Sequence, residues 1–196
     1  GLAEYLGELL MVRSGLVAPD EYKETLNGSI SGLMLRTGRN WRSLEDTAIA
    51  SQLLRAGSAN WNEMRRDQDY YHEGALLWLN ADAIIREKTE GKKSIEDFCK
   101  KFLGKNDARG DAVPYDLAEV VKHLNDVVPY DWEKFLTDWV SRPHDALPLD
   151  LVGRIGYRLQ FSPTPSNRRP GQGHSAILHS IGVAFGENGE ISDIVP

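Results

Sequence analysis

Asp69-Tyr70-Tyr71-His72-Glu73-Gly74 gathers the most chemistry into the shortest space in this sequence. A tyrosine hydroxyl stays neutral up to a pH of about 10, so it can donate a hydrogen bond to a developing oxyanion without becoming charged itself. The plainer reading of Tyr70 and Tyr71 is structural, with both rings in the core and both hydroxyls at the surface. Other chemistries find less support. The five histidines are His72, His123, His144, His174 and His179. None stands four residues from another, so no His-Glu-x-x-His pair lies on one helix face. His72-Glu73 begins that motif, but Leu76 occupies the place of its second histidine. His174 and His179, five apart, match no common metal spacing. The lone cysteine, Cys99, excludes an internal disulfide and a cysteine metal cluster. Beside Phe98 and Phe102 its thiol reads as a small hydrophobe. There is no Gly-x-Ser-x-Gly elbow, and Gly171-Gln172-Gly173 lacks the third glycine of a phosphate cradle. Asn27-Gly28-Ser29 fits a glycosylation triplet, which matters only in a secreted eukaryotic chain.

These residues need elements to hold them, and the chain supplies mainly helices. It has 196 residues, 41% hydrophobic and 27% charged, with a formal net charge of -6. The acidic balance argues against a nonspecific nucleic-acid or anionic-membrane binder. A mean hydropathy of -0.42 and the lack of a long uncharged apolar run exclude a transmembrane helix. Leu2, Leu6, Leu9 and Leu10 form one stripe, with Gly15 as its stop. Pro19-Asp20 opens a second helix carrying Tyr22, Leu26, Ile30, Leu33 and Met34 at core spacing. Ser43 is a cap for a third. A long helix is predicted from about Asn62 to Thr89, and Gly74 within it marks close packing or a functional constraint. Ser94 caps a short helix burying Ile95, Phe98, Cys99 and Phe102.

Two further helices come after the phrases Val113-Pro114-Tyr115-Asp116 and Val128-Pro129-Tyr130-Asp131, where proline disfavours helix before it and aspartate caps the helix behind it. The first is expected to bury Leu117, Val120, Val121 and Leu124, the second Trp132, Phe135, Leu136 and Trp139. Composition changes near residue 148: residues 1–147 hold 11 of the 18 glycines, all five tryptophans and the entire net charge, while 148–196 hold five of the nine prolines. The fold class expected is therefore mainly α, a multi-helix bundle over 1–147 with a short, incomplete β segment over 148–196. Strands are predicted around Tyr157–Phe161, Ser180–Phe185 and Ile191–Val195, with a loop from Pro163 to Gly173 and a hairpin signal at Asn188-Gly189.

Several of these stretches, in order, resemble the glycyl aminopeptidase family of zinc metallopeptidases. Gly1-Leu2-Ala3-Glu4-Tyr5 is similar to the segment after the family's third zinc ligand, a glutamate in an E-G-L/F-T/A-x-Y pattern. Gly38-Arg39 through Ser43-Leu44-Glu45-Asp46 resembles G-R-x-x-x-S-L-x-E/D. Tyr70 through Leu76 resembles Y-Y-x-K-G-A-L, with Glu73 where the family usually has lysine. Asp82, Arg86, Thr89 and Gly91 through Asp97 resemble L-D-x-x-I-R-x-x-T-x-G-x-x-S-L-D-D. Leu147-Pro148-Leu149 and Ser180-Ile181-Gly182 resemble the end of the peptidase domain and the opening of its PDZ domain.

The resemblance implies the C-terminal helical half of a thermolysin-like peptidase domain plus the start of a PDZ-like domain. It implies zinc in the full-length parent, held by two histidines of an upstream H-E-x-x-H helix and by the residue just before Gly1, with a peptide as substrate. None of those ligands lies in this chain, so the chain alone is expected to bind no metal or cofactor and to hydrolyse nothing. Tyr71, three residues before Gly74, is the catalytic residue the resemblance carries over, with Tyr70 the adjacent alternative. The partners implied are the N-terminal half of the peptidase domain and, through an exposed apolar face, a second copy of the chain. The alternative from another class is a noncatalytic peptide-binding module from a degenerate peptidase. The compartment is left open.

Overall fold

A computed structural model describes residues 1–56, 65–66, 68–104, 113–161, 181–186 and 188–194. These residues are mostly helical. In order they form α1 (Leu2–Arg13), α2 (Pro19–Met34), a 3-10 turn (Gly38–Asn40), α3 (Leu44–Ile49), α4 (Ser51–Ala56), α5 (His72–Lys88), α6 (Ile95–Leu103), α7 (Leu117–Val127), α8 (Trp132–Val140) and α9 (Asp150–Arg154). Two short strands complete the order, β1 (Val183–Phe185) and β2 (Ile191–Ile194). No helix among the described residues is long and apolar enough to cross a membrane.

The axis of the bundle is α5. Its buried residues run almost around the helix, including Gly74, Ala75, Leu76, Leu77, Ala81, Ile84 and Ile85, as expected of a helix surrounded by others. Packed against it are α1, α2, α6 and α9. The punctuation falls where the residue types place it. Gly15, at φ +78°, lies just past α1, and Gly91, at φ +75°, just past α5. Ser43 Oγ accepts from Asp46 N at 3.0 Å. Ser94 and Asp97 form a reciprocal capping box. Asp116 and Asp131 accept from Glu119 N at 2.8 Å and Lys134 N at 3.1 Å, starting α7 and α8.

Asp82, in the middle of α5, ties three helices together. Its Oδ2 accepts from the Tyr5 hydroxyl of α1 at 2.7 Å and from Arg86 Nε at 3.1 Å, and its Oδ1 accepts from Ile95 N of α6 at 2.8 Å. Burial, reinforced by Asp82, pushes the Tyr5 phenol well above its ordinary value.

Four sequence expectations need correction. The predicted helix from Asn62 starts only at His72, because residues 68–71 form a bend and turn ahead of it; Asn62 itself lies outside the described residues. The α1 stripe is anchored by buried Tyr5 rather than by Leu10, which is exposed along with Leu117 of α7. No strand forms at Tyr157–Phe161. Just beyond residue 148, the first regular element is a helix, α9, whose Leu151 and Val152 join the core. The other two strands do form. They pair as an antiparallel hairpin with Val183 opposite Ile194 and an irregularity between Ala184 and Phe185, and Gly189 takes φ +79° in the turn. The predicted loop from Pro163 to Gly173 lies outside the described residues.

Replacing Asp82 by alanine strands the Tyr5 hydroxyl and the Ile95 amide in the core. Chemical denaturation of that variant should show a loss of about 3–5 kcal/mol. Because the Tyr5 phenol is held above its unfolded value, its contribution is complete below pH about 10 and fades as the pH climbs past it. Melting temperatures taken from pH 8 to 11 should therefore fall more steeply for the wild type than for Tyr5→Phe.

Candidate functional site

The start of α5 meets the start of α1 with no side chain between them. A β-carbon placed on Gly74 would lie 2.8 Å from Gly1 Cα, and one placed on Gly1 would lie 2.7 Å from the Gly74 carbonyl carbon. The close packing expected at Gly74 is thus a contact of backbone with backbone, closer than any β-carbon allows. Only glycine on both sides lets the helices approach this far. Since Gly1 O accepts from Tyr5 N at 3.0 Å, the first turn of α1 and the first turn of α5 lie against each other.

Tyr70 and Tyr71 sit just before that contact. Tyr71 is the N-cap of α5, with backbone angles of -74° and -67°. Its N–H donates to Gln68 O at 3.1 Å, and its carbonyl accepts from Ala75 N at 2.9 Å. The two rings lie 4.8 Å apart, tilted by 38°. Tyr70 packs against the core, while Tyr71 is 39% exposed. The two tyrosines do separate into one inner and one outer ring. They do so within the turn that precedes α5, residues 68–71. His72, the first residue of the helix, is exposed and borders a crevice with Tyr5, Glu8 and Tyr22.

Beneath this turn lies a cluster of charge that sequence reading missed. Glu73 is 0% exposed and Asp69 1%. Arg66 Nη2 lies 2.6 Å from Glu73 Oε1, and Arg39 Nη1 donates to Glu73 Oε2 at 3.4 Å. Asp69 is ion-paired with Arg36 and lies 3.6 Å from Arg66 Nε. The arginines are themselves anchored. Arg39 Nη2 donates to Leu33 O of α2 at 2.6 Å, and Arg66 Nη1 to Arg42 O at 2.7 Å. Burial pushes the Glu73 carboxyl up while Arg66 and Arg39 pull it back, and burial lowers the Arg39 guanidinium. The available signal was the spacing: two carboxylates four residues apart around the tyrosine pair, and two arginines three apart after α2.

The side chains of the remaining candidates lie outside this cluster, although His144 N donates to Arg39 O at 2.9 Å. Cys99 of α6 is half-buried, and burial together with Asp82 raises its thiol. His123 is buried on α7, within 4 Å of both Glu119 and Asp126, and His144 Nε2 lies 3.3 Å from Trp139 O. His174 and His179 lie outside the described residues. Among the described residues, no three of His, Cys, Asp and Glu gather in a way that could hold a metal ion.

A peptidase relationship emerges when the sequence is compared with known families. Residues 1–77 match the model of the M61 glycyl aminopeptidase family, the family that the motifs in this same stretch resemble. Gly1, Arg36, Arg39, Arg66, Asp69, Tyr71, Glu73 and Gly74 all fall inside the match. No curated protein matches the chain.

Gly74→Ala sets a helix gain of about 1 kcal/mol against a collision with the Gly1 backbone. The collision should win, with a net destabilisation of about 1–3 kcal/mol by denaturant titration. Cys99, with its thiol raised, should react with iodoacetamide at pH 7.5 at least about tenfold more slowly than free cysteine.

Proposed function

We propose that this chain is the helical wall of a zinc aminopeptidase active site and that Tyr71 is its oxyanion donor. The observation that carries the reading is the contact of Gly1 with Gly74. It brings the N-cap of α1 against the same first turn of α5 that Tyr71 caps. On the resemblance, the residue immediately before Gly1 is a zinc ligand, so the tyrosine and the metal would face one peptide bond from adjacent helix starts. The ion would supply an activated water. On the same resemblance, its ligands and the general base would lie in the stretch before Gly1.

The part this chain plays rests on its own side chains. Tyr71 is 39% exposed and is the N-cap of α5, a place that suits a preorganised donor to the oxygen of a tetrahedral intermediate. Tyr70 backs it from the core side. The opposite wall of the chamber and the peptide's other contacts would come from the N-terminal half of the peptidase domain. Exposed Leu35, Trp41, Ile49 and Leu53 on the α2 to α4 side are the apolar surface offered to it. Beyond residue 148, the hairpin of β1 and β2 is taken as the opening of a PDZ-like domain.

The test is Tyr71→Phe in the full-length protein, assayed on short peptides with free N-termini. Turnover should fall by about 10²–10³-fold, or about 2.7–4 kcal/mol of transition-state stabilisation, with the melting temperature little changed. Turnover equal to wild type would remove Tyr71 from the reaction. Absence of zinc from the full-length protein would instead favour the noncatalytic module.

A further inference from the structure

We propose that Arg36, Arg39 and Arg66 clamp Asp69 and Glu73 so as to fix the Tyr70-Tyr71 turn, which makes Glu73 a positioning residue for Tyr71. The second half of this statement rests on the function proposed above; the clamp itself does not. The two carboxylates bracket the tyrosine pair in sequence, and both are removed from water. Each is held by two arginines, and Arg66 is shared between them. A carboxylate in such a place is tolerable only while its partners stay in position.

The partners are positioned independently of the turn. Arg39 is fixed to the last turns of α2 through Leu33 O, and Arg39 O accepts from His144 N at 2.9 Å, tying in the segment after α8. Arg66 is fixed to the loop before α3 through Arg42 O. The turn is therefore referenced to α2, to the α3 entrance and to the region after α8, rather than only to its own helix. Within it, Glu73 N donates to Asp69 O at 2.7 Å, so the two clamped residues also close the backbone around the tyrosines.

Two features speak for positioning over plain stabilisation. Apolar residues of similar volume usually stabilise a core as well as a buried ion cluster does, whereas a guanidinium fork fixes direction. Arg66 also takes φ +52°, a region sparsely populated by residues with side chains. Such a conformation persists where surrounding contacts over-determine it, and here the guanidinium reaches Arg42 O, Asp69 and Glu73.

Hydrogen exchange on the chain, with Glu73→Gln and Asp69→Asn as separate variants, tests the clamp without any assay of activity. Exchange of the amides of residues 70–73 should speed up at least about tenfold, while those of α7 keep their wild-type rates. Unchanged exchange at residues 70–73 in a folded variant would overturn the clamp. In the full-length protein, Glu73→Gln should lower kcat by about 10²-fold with KM unaltered. In a Tyr71→Phe background it should cost nothing further, because the residue acts through that hydroxyl. A kcat loss that adds in full to that of Tyr71→Phe would overturn the positioning role. If Tyr71→Phe itself turns over like wild type, the proposed function fails, and the exchange rates alone decide the clamp.

Discussion

Two carboxylates, Asp69 and Glu73, have been taken out of water within one turn of each other, and the surroundings of α5 are arranged around that fact. A buried carboxylate without a cation is prohibitively costly. Arg36, Arg39 and Arg66 therefore have to converge from two separate segments of the chain. Their convergence sets the end of α2 and the 3-10 turn against the start of α5. At that same first turn of α5, Tyr71 stands as N-cap and Gly74 meets Gly1.

A second polar centre, Asp82, does for the middle of the bundle what the arginine cluster does for its end. It accepts from a phenol, a guanidinium and a backbone amide belonging to α1, α5 and α6. Helix α1 is thus held at two heights. The Gly1–Gly74 contact fixes its start by steric closeness, and Tyr5 fixes it one turn on by a directed hydrogen bond. Together they leave the two helix starts little freedom to separate, which is what preorganisation at a shared site demands.

Much of this was legible in the residues. Ser43, Ser94, Asp116 and Asp131 are short polar side chains placed ahead of periodic apolar runs, and each caps the helix that its position predicts. Gly15, Gly91 and Gly189 adopt the positive φ that a stop or a hairpin requires. The mainly α class and the closing hairpin come from the same local signals. The illegible parts depend on distant segments meeting. Leu10 and Leu117 fit their apolar stripes, yet both side chains are exposed. Tyr5 looks like an ordinary amphipathic residue until Asp82, 77 positions on, is placed beside it. Glu73 reads as a departure from a lysine pattern, and the spacing of carboxylates and arginines does not by itself say that Arg39 and Arg66 enclose it. Tyr157–Phe161 has a strand's composition, but among the described residues no strand pairs with it.

Catalysis of the proposed kind requires the Tyr71 hydroxyl to face a reacting carbonyl. The most direct measurement is a crystal structure of the full-length protein with a tetrahedral phosphinic peptide bound. It should place the Tyr71 hydroxyl about 2.7 Å from an oxygen of the phosphinyl group, with Gly1 still against Gly74. A phosphinyl group bound on another face of the protein, with the Tyr71 hydroxyl directed to solvent, would contradict it.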